Sequence, residues 1–241
     1  MKIIKVTNIE KFATKILPKQ PQKNRIIVES ILKDVKKNGD VAIRKYEKKF
    51  SRANITTLRV SKAEIKNAYS KVSKIELDSL RLAKKRLEKT ESAIKSLLKN
   101  KTINQDGIKI SKKFIPIQSV GCYIPGGLAK YPSSVIMSVV PAKVAGIKRI
   151  VVVSPPNTDG KIDPLTIVAA NLCGANEIYK TGGVQSIAAL SYGTKSILKV
   201  DKIVGPGGAF VTTAKYLISN ETGIDMLAGP TELGIISDNS T

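Results

Sequence analysis

From about residue 119 onward, short apolar runs alternate with helical segments roughly every 25 to 27 residues, and this alternation limits the folds open to the chain. The run 149–154 is almost continuously apolar, as in a strand buried on both faces of a parallel sheet. Further strands are predicted at 177–180 and 202–204, each followed by a helical segment. Strand, helix and strand at this spacing form a βαβ unit. We therefore predict an α/β fold with a right-handed, doubly wound parallel sheet.

The stretch 119–135 joins this half of the chain to the preceding one. Apolar residues lead into a predicted strand, which Pro125 and the two glycines after it end. Ser133 or Ser134 is predicted to cap the next helix. That helix is apolar nearly all round as far as Gly146, so we expect it to be buried.

Residues 1–120 are predicted to form a lysine-rich, mainly helical region. A helix after Pro21 is expected to end at Gly39, and a second helix follows over 41–50. Ser61 and Glu64 have the spacing of a capping box and open a third helix. Short strands are predicted at three places, the last two as a hairpin: 55–60, 108–110 and 114–118.

The longest helix is predicted over 75–98. Leu80, Leu87 and Ile94 lie seven residues apart on one of its faces. Such a face belongs either to a coiled coil or to a helix docked on a domain, and the sequence leaves both interpretations open.

The formal net charge of +22 lies almost entirely in the first half of the chain. Residues 1–114 hold 31 of the 41 lysine and arginine residues and 11 of the 19 acidic residues, which leaves +20 there and +2 in residues 115–241. The cations are mostly lysine, with few aromatic side chains between them on which bases would stack. We therefore expect salt-sensitive, non-specific attraction to nucleic acids and no specific nucleic-acid partner.

The 241 residues suit one large or two modest domains. No window is apolar for the length of a membrane span, and the first residues do not resemble a signal peptide. We therefore expect a cytoplasmic protein with no membrane partner. Cys122 and Cys173 stand 51 positions apart in apolar surroundings, which predicts small buried hydrophobic residues rather than a disulfide or a zinc site.

Glycine-rich turns follow three of the predicted strands, at 125–127, 181–183 and 205–208. Open parallel sheets bind ligands at the carboxyl ends of their strands. A glycine turn that opens a helix lets a phosphate approach bare backbone N–H groups, so a nucleotide site is one interpretation. No turn has the complete dinucleotide fingerprint or a P-loop sequence, and glycines that only form tight turns are the other interpretation.

The chain contains no histidine. It therefore has no imidazole to act as a base, a metal ligand or a member of a catalytic triad. Two distant cysteines and scattered carboxylates are a poor zinc set, so no metal site is predicted within these residues. Asp225 and Glu232 lie near glycine turns and suit either acid–base chemistry or simple capping and ion pairing.

Four segments of the second half carry distinctive sequences: GCYIPGG at 121–127, GGVQSIAAL at 182–190, VDKIVGPGGAFV at 200–211 and IDMLAGPTE at 224–232. In this order and spacing they resemble histidinol dehydrogenases. The resemblance implies an oxidoreductase of histidine biosynthesis that oxidises L-histidinol twice, to histidinal and then to L-histidine. It also implies NAD and zinc as cofactors, Rossmann-like domains and a homodimer.

The resemblance assigns site residues position by position. It implies that Tyr123, Gln185 and Gly208 lie where the family contacts NAD. Position 208 is an asparagine in the family, so the glycine here removes one expected cofactor hydrogen bond. Thr231 lies where the family has a serine that contacts the substrate, and its hydroxyl is expected to keep that role. The family's zinc ligands and its Glu-His acid–base pair match no residue of this chain, so no catalytic or metal-binding residue is assigned.

The resemblance also implies a division into domains. Residues 1–120 are expected to form part of an incomplete first domain, half of a second α/β unit. Residues 121–232 are expected to form the inserted, Rossmann-like NAD-binding domain, and 233–241 the start of the return to the first domain. We therefore expect a truncated enzyme that is inactive by itself. A non-catalytic nucleotide-binding or regulatory protein and a basic nucleic-acid-binding protein are the alternatives.

Overall fold

A computed structural model describes residues 7–16, 22–126 and 130–227. Thr231, Glu232 and the predicted segment 233–241 lie outside the described residues. The helices and strands follow one another in this order: α1 (Ile9–Ile16), α2 (Gln22–Phe50), α3 (Lys62–Tyr69), α4 (Lys74–Ser96), β1 (Lys101–Gln105), β2 (Ile108–Lys112), β3 (Ser119–Tyr123), α5 (Pro132–Ala145), β4 (Arg149–Ser154), α6 (Pro164–Cys173), β5 (Glu177–Lys180), α7 (Gly183–Tyr192), β6 (Lys202–Val204), α8 (Ala209–Ile218) and β7 (Gly223–Ile224).

Five parallel strands form the main sheet in the order β5-β4-β3-β6-β7. Helices α5 and α6 pack on one face of the sheet, and α7 and α8 pack on the other. The predicted doubly wound parallel sheet is therefore confirmed. The order of the strands reverses beside β3, so the carboxyl ends of β3 and β6 flank the position where such sheets bind ligands.

The N-terminal helices pack against both helical layers of the sheet. Helix α2 lies on α7 and α8, α3 lies on α6, and α4 lies on α5. In α4, Leu80 is buried and Leu87 packs against the same apolar cluster, whereas Ile94 is exposed. The heptad-spaced face of α4 is thus docked on the sheet domain, which decides between the two interpretations of that helix.

Helix α5 is buried, as its all-round apolar sequence predicts. Val135 and Val139 are fully buried in the cluster between this helix and the sheet. The predicted cap is wrong, because the helix begins at Pro132 with Tyr131 in the N-cap position, and Ser133 and Ser134 lie in the first turn. Proline is well suited to the first helical position, since its missing N–H has no partner there in any case. Among the described residues, no helix is both long and apolar enough to cross a lipid bilayer.

Two of the predicted short strands differ from the observed ones. The hairpin pairs β1 with β2, rather than 108–110 with 114–118. Asp106 and Gly107 both have positive φ, and this is the backbone of a two-residue turn that joins antiparallel strands tightly. The segment 55–60 forms only an isolated bridge at Arg59, which pairs with Tyr179 on the edge strand β5.

Gly39 divides α2 into two helical parts, where the sequence predicts the end of one helix and the start of the next. Its φ of 50° and ψ of −128° lie outside the helical region. A Cβ added at this position would meet only ordinary contacts with Thr194, so the constraint is the backbone conformation itself. The change of direction sets the course of the second part of α2, which carries Glu47 towards α7.

We predict that Gly39→Ala lowers the free energy of unfolding by about 1 to 3 kcal/mol, because alanine is strained at this φ and ψ. Gly208→Ala is the matched control, since Gly208 has a negative φ and open space at its Cβ position. Alanine is a poorer N-cap than glycine, so the control is expected to lower the free energy of unfolding by at most about 1 kcal/mol, less than the change at Gly39. Urea unfolding of the two variants measures both effects, and equal stabilities would contradict the strain at Gly39.

Candidate functional site

A cavity of about 950 Å³ lies at the carboxyl ends of β4 and β5, beside the second part of α2 and the start of α7. Its volume is in the range of sites that enclose drug-sized ligands and cofactors. Its wall combines backbone from glycine turns with apolar and a few polar side chains: Ile27, Ile31, Lys49, Phe50, Ser51, Gly126, Pro155, Pro156, Asn157, Thr158, Gly182, Gly183, Val184, Gln185 and Phe210.

Gln185 lies in the first turn of α7 and lines this cavity. Its side chain is 2% exposed, and its Nε2 donates a hydrogen bond of 2.7 Å to Oε1 of Glu47. Its own Oε1 is buried without a hydrogen-bond partner among the described residues. A buried, unpaired acceptor is costly, and it fits a ligand group that donates a hydrogen bond.

Glu47 is fully buried at the junction of α2 and α7. Its Oε1 accepts hydrogen bonds from the Thr181 hydroxyl at 2.8 Å, from the Gly182 N–H at 2.9 Å and from Gln185. Its Oε2 accepts a bond of 2.7 Å from the Ser51 hydroxyl. Hydrogen bonds from these four donors replace those that the carboxylate would make with water.

Glu47 was not predicted as a site residue from the sequence, where it lies within a lysine-rich helical segment. One signal was present in the pattern. Ile43, Glu47 and Ser51 are spaced four residues apart, so they share one side of the helix. A carboxylate on the same helix face as a buried isoleucine indicates a buried polar contact.

Tyr123 ends β3 and lies behind the glycine turn at the start of α7. Burial raises the pKa of the Tyr123 phenol, and the backbone N–H of Gly183 beside the hydroxyl partly offsets this rise. The Glu47 carboxylate also raises the pKa, so the hydroxyl stays protonated at neutral pH. Tyr123 and Gln185, both assigned from the sequence, are thus brought to the same turn, but Tyr123 supports the turn rather than lining the cavity.

Gly205 and Gly208 belong to the turn between β6 and α8 and differ in their surroundings. A Cβ on Gly205 would lie 2.1 Å from the carbonyl oxygen of Tyr123. The close approach of the two backbone segments is therefore enough to require a glycine here, without any ligand. A Cβ on Gly208 would meet no atom within 4 Å. Gly208 is the N-cap of α8 and does not line the cavity, which Phe210 reaches from the same helix. Position 208 therefore has room for a side chain.

Asp225 and Lys215 hold the Gly205 turn. The Lys215 ammonium is almost fully buried, pairs with the Asp225 carboxylate and donates to the Gly205 carbonyl oxygen at 3.0 Å. Asp225 also accepts the Gly205 N–H at 2.8 Å. Burial by itself would raise the pKa of Asp225, but the hydrogen bonds from Lys215 and from backbone N–H groups hold it below its usual value. These contacts favour the ion-pairing interpretation of Asp225 over acid–base chemistry.

A zinc ion does not fit the donor set of the described residues, where no group of three or more potential ligand side chains is present. Cys122 and Cys173 are free and buried in one apolar cluster, as the sequence predicts. Burial raises the pKa of Cys122 to about 12 and that of Cys173 to about 11. Both therefore remain neutral thiols, whereas zinc binds the thiolate.

Comparison with known proteins gives one consistent result. The family model for histidinol dehydrogenase matches residues 17–241. The histidinol dehydrogenase of Gloeobacter violaceus is 44% identical over 97% of this chain and 53% of its own length. That of Methanococcus maripaludis is 47% identical over 89% of this chain and 50% of its own length.

A solved structure agrees with these sequence matches. The crystal structure of histidinol dehydrogenase from Elizabethkingia anophelis superposes with a TM-score of 0.84 and 36% identity, over 93% of this chain and 52% of that one. The chain spans about half the length of the curated relatives it matches. The match of the family model over nearly the whole chain, together with the shared α/β architecture, places this protein in the histidinol dehydrogenase family.

Proposed function

We propose that this chain is the NAD-binding part of a histidinol dehydrogenase, an oxidoreductase of histidine biosynthesis. The observation that carries the proposal is the unpaired Oε1 of Gln185 in the wall of the cavity. Gln185 also lies at a position that the family resemblance assigns to NAD. A nucleotide offers ribose hydroxyl and base amine groups that would satisfy this acceptor.

The cavity has further properties that suit NAD. Phe210 is 43% exposed, so its ring is available to stack against a flat heterocycle. The ring of Phe50 also lines the cavity, where it stacks on Tyr46 and has the Lys49 ammonium 5.5 Å from its centroid. Lys49 adds an ammonium group to the wall, where it attracts phosphate. NAD would be held by Gln185, the two aromatic rings and the glycine turn that Tyr123 supports, and when bound it supplies a hydride acceptor.

The remaining assignments follow from the family and are also proposals. L-histidinol is the proposed substrate, Thr231 is proposed to contact it, and the working assembly is proposed to be a homodimer. The limits 1–120, 121–232 and 233–241 stay proposed domain limits. Because these 241 residues contain no histidine, we propose that the chain alone binds NAD without oxidising the alcohol.

A non-catalytic nucleotide-binding role rests on the same cavity. In this role the bound nucleotide would act as a regulatory ligand and would not accept a hydride. Recovery of dehydrogenase activity with a complementary polypeptide favours the enzyme, whereas NAD binding without any such recovery favours the regulatory role.

We predict that the chain binds NAD and that Gly208→Asn strengthens the binding about two- to tenfold, the effect of one net hydrogen bond. A Cβ at position 208 would meet no atom within 4 Å. Gly208 itself does not line the cavity, but the longer asparagine side chain at the N-cap of α8, the helix whose Phe210 lines it, is expected to reach the nucleotide. Gly208→Ala is the control, because it restricts the backbone without adding an amide. Calorimetric titration with NAD measures the three affinities. Equal affinities for the asparagine and alanine variants would mean that position 208 does not face the nucleotide.

We also predict no NADH formation from L-histidinol by the purified chain, with or without added zinc. Alcohol oxidation requires a positioned base. Loss of catalytic groups that act as a unit lowers the reaction rate by many powers of ten. Activity is expected when the histidine-containing C-terminal half of one of the relatives is supplied. Absorbance at the NADH band follows the reaction. Zinc-dependent turnover by the chain alone, free of host enzyme, would contradict the prediction.

A further inference from the structure

The start of α7 has the form of an anion site, but two of its donors are already used within the protein. A glycine turn that opens a helix presents free N–H groups to phosphate. Here the Gly182 N–H and the Thr181 hydroxyl donate to Oε1 of Glu47. The Gly183 N–H lies beside the Tyr123 phenol, whose pKa it lowers. The Glu47 carboxylate thus occupies the place of the anion and adds a negative charge that repels a second one.

The same carboxylate fixes the side-chain amide of Gln185. Nε2 can donate to Glu47, but Oε1 cannot, so the orientation of the amide is set by its contact with a pure acceptor. The amide therefore keeps Oε1 as its free group. Gly183 leaves room for this atom, since a Cβ at that position would lie 3.1 Å from Oε1 of Gln185.

We propose that Glu47 is a positioning residue that makes the start of α7 a site for a neutral hydrogen-bond donor and not for phosphate. Within the proposed NAD function, on which this inference rests, the group at Gln185 is a ribose hydroxyl or a base amine. The diphosphate lies elsewhere in the cavity, where Lys49 provides a positive charge. Ser51 acts with Glu47, because its hydroxyl holds the second carboxylate oxygen.

The test is a double-mutant cycle on NAD affinity, with the full chain and its variants Glu47→Gln, Gln185→Met and both together. Glu47→Gln is expected to weaken NAD binding about fivefold, because the amide of Gln185 loses its charged acceptor. In the Gln185→Met background, the same change is expected to alter the affinity less than twofold, because Glu47 acts through Gln185. Single effects that simply multiply would overturn the proposal.

A matched control separates positioning from general loss of stability. Asp40 lies on the same helix and accepts hydrogen bonds from the backbone N–H and the hydroxyl of Ser196, but it does not line the cavity. Asp40→Asn is expected to leave NAD affinity unchanged. If Glu47→Gln does not fold, Ser51→Ala replaces it in the cycle, with an expected two- to threefold loss that again disappears beside Gln185→Met. Without that coupling, the proposal fails.

A titration with inorganic pyrophosphate distinguishes failure of this inference from failure of the proposed function. In two-dimensional NMR of the labelled chain, pyrophosphate is expected to leave the amide resonances of Gly182 and Gly183 unmoved. Movement of these resonances at saturable concentrations would overturn the inference, whether or not NAD binds. A chain that binds no NAD but shows unmoved amides would refute the proposed function and leave the phosphate-excluding turn supported.

Discussion

The buried carboxylate of Glu47 is the contact on which the geometry of the candidate site depends. A carboxylate without water is tolerated only when donors surround it, and here the donors come from two parts of the chain more than 130 residues apart. Ser51 belongs to the N-terminal helical region, whereas Thr181, Gly182 and Gln185 belong to the turn after β5. The interaction therefore fixes α2 against the turn, and the cavity lies between them.

The sheet supplies the rest of the arrangement. Its strand order brings the ends of β3, β4 and β5 and the turn after β6 to one edge, where backbone and small residues leave space for a ligand. Two features fix the turn after β6 at that edge. Gly205 must lack a side chain because the backbone of Tyr123 lies against it, and the pair formed by Lys215 and Asp225 holds the same turn in place. The lysine-rich N-terminal helices add positive charge around the sheet domain, and the ammonium of Lys49 lies at the cavity wall.

Local sequence signals predicted much of the fold. The apolar run 149–154 and the glycines at 146 and 174 gave correct strand and helix limits, because burial on both faces and left-handed C-caps leave direct marks in the sequence. The hairpin was predicted with the wrong pair of strands, although Asp106 followed by Gly107 is a favoured two-residue hairpin turn that indicates the observed pairing of β1 with β2.

The candidate site was less accessible to sequence reasoning. Gln185 was assigned by resemblance, but the direction of its amide depends on Glu47, which is 138 positions away. The glycine turn at 181–183 suggested phosphate binding, and only the tertiary structure shows that a carboxylate already takes two of its donors, the Thr181 hydroxyl and the Gly182 N–H. A crystal structure of the chain, with crystals grown in the presence of NAD, is the most direct test of these contacts. We predict nucleotide density in the cavity, with a hydroxyl or amine group within hydrogen-bond distance of Gln185 Oε1. Density for a phosphate at the start of α7, or nucleotide bound outside the cavity, would contradict it.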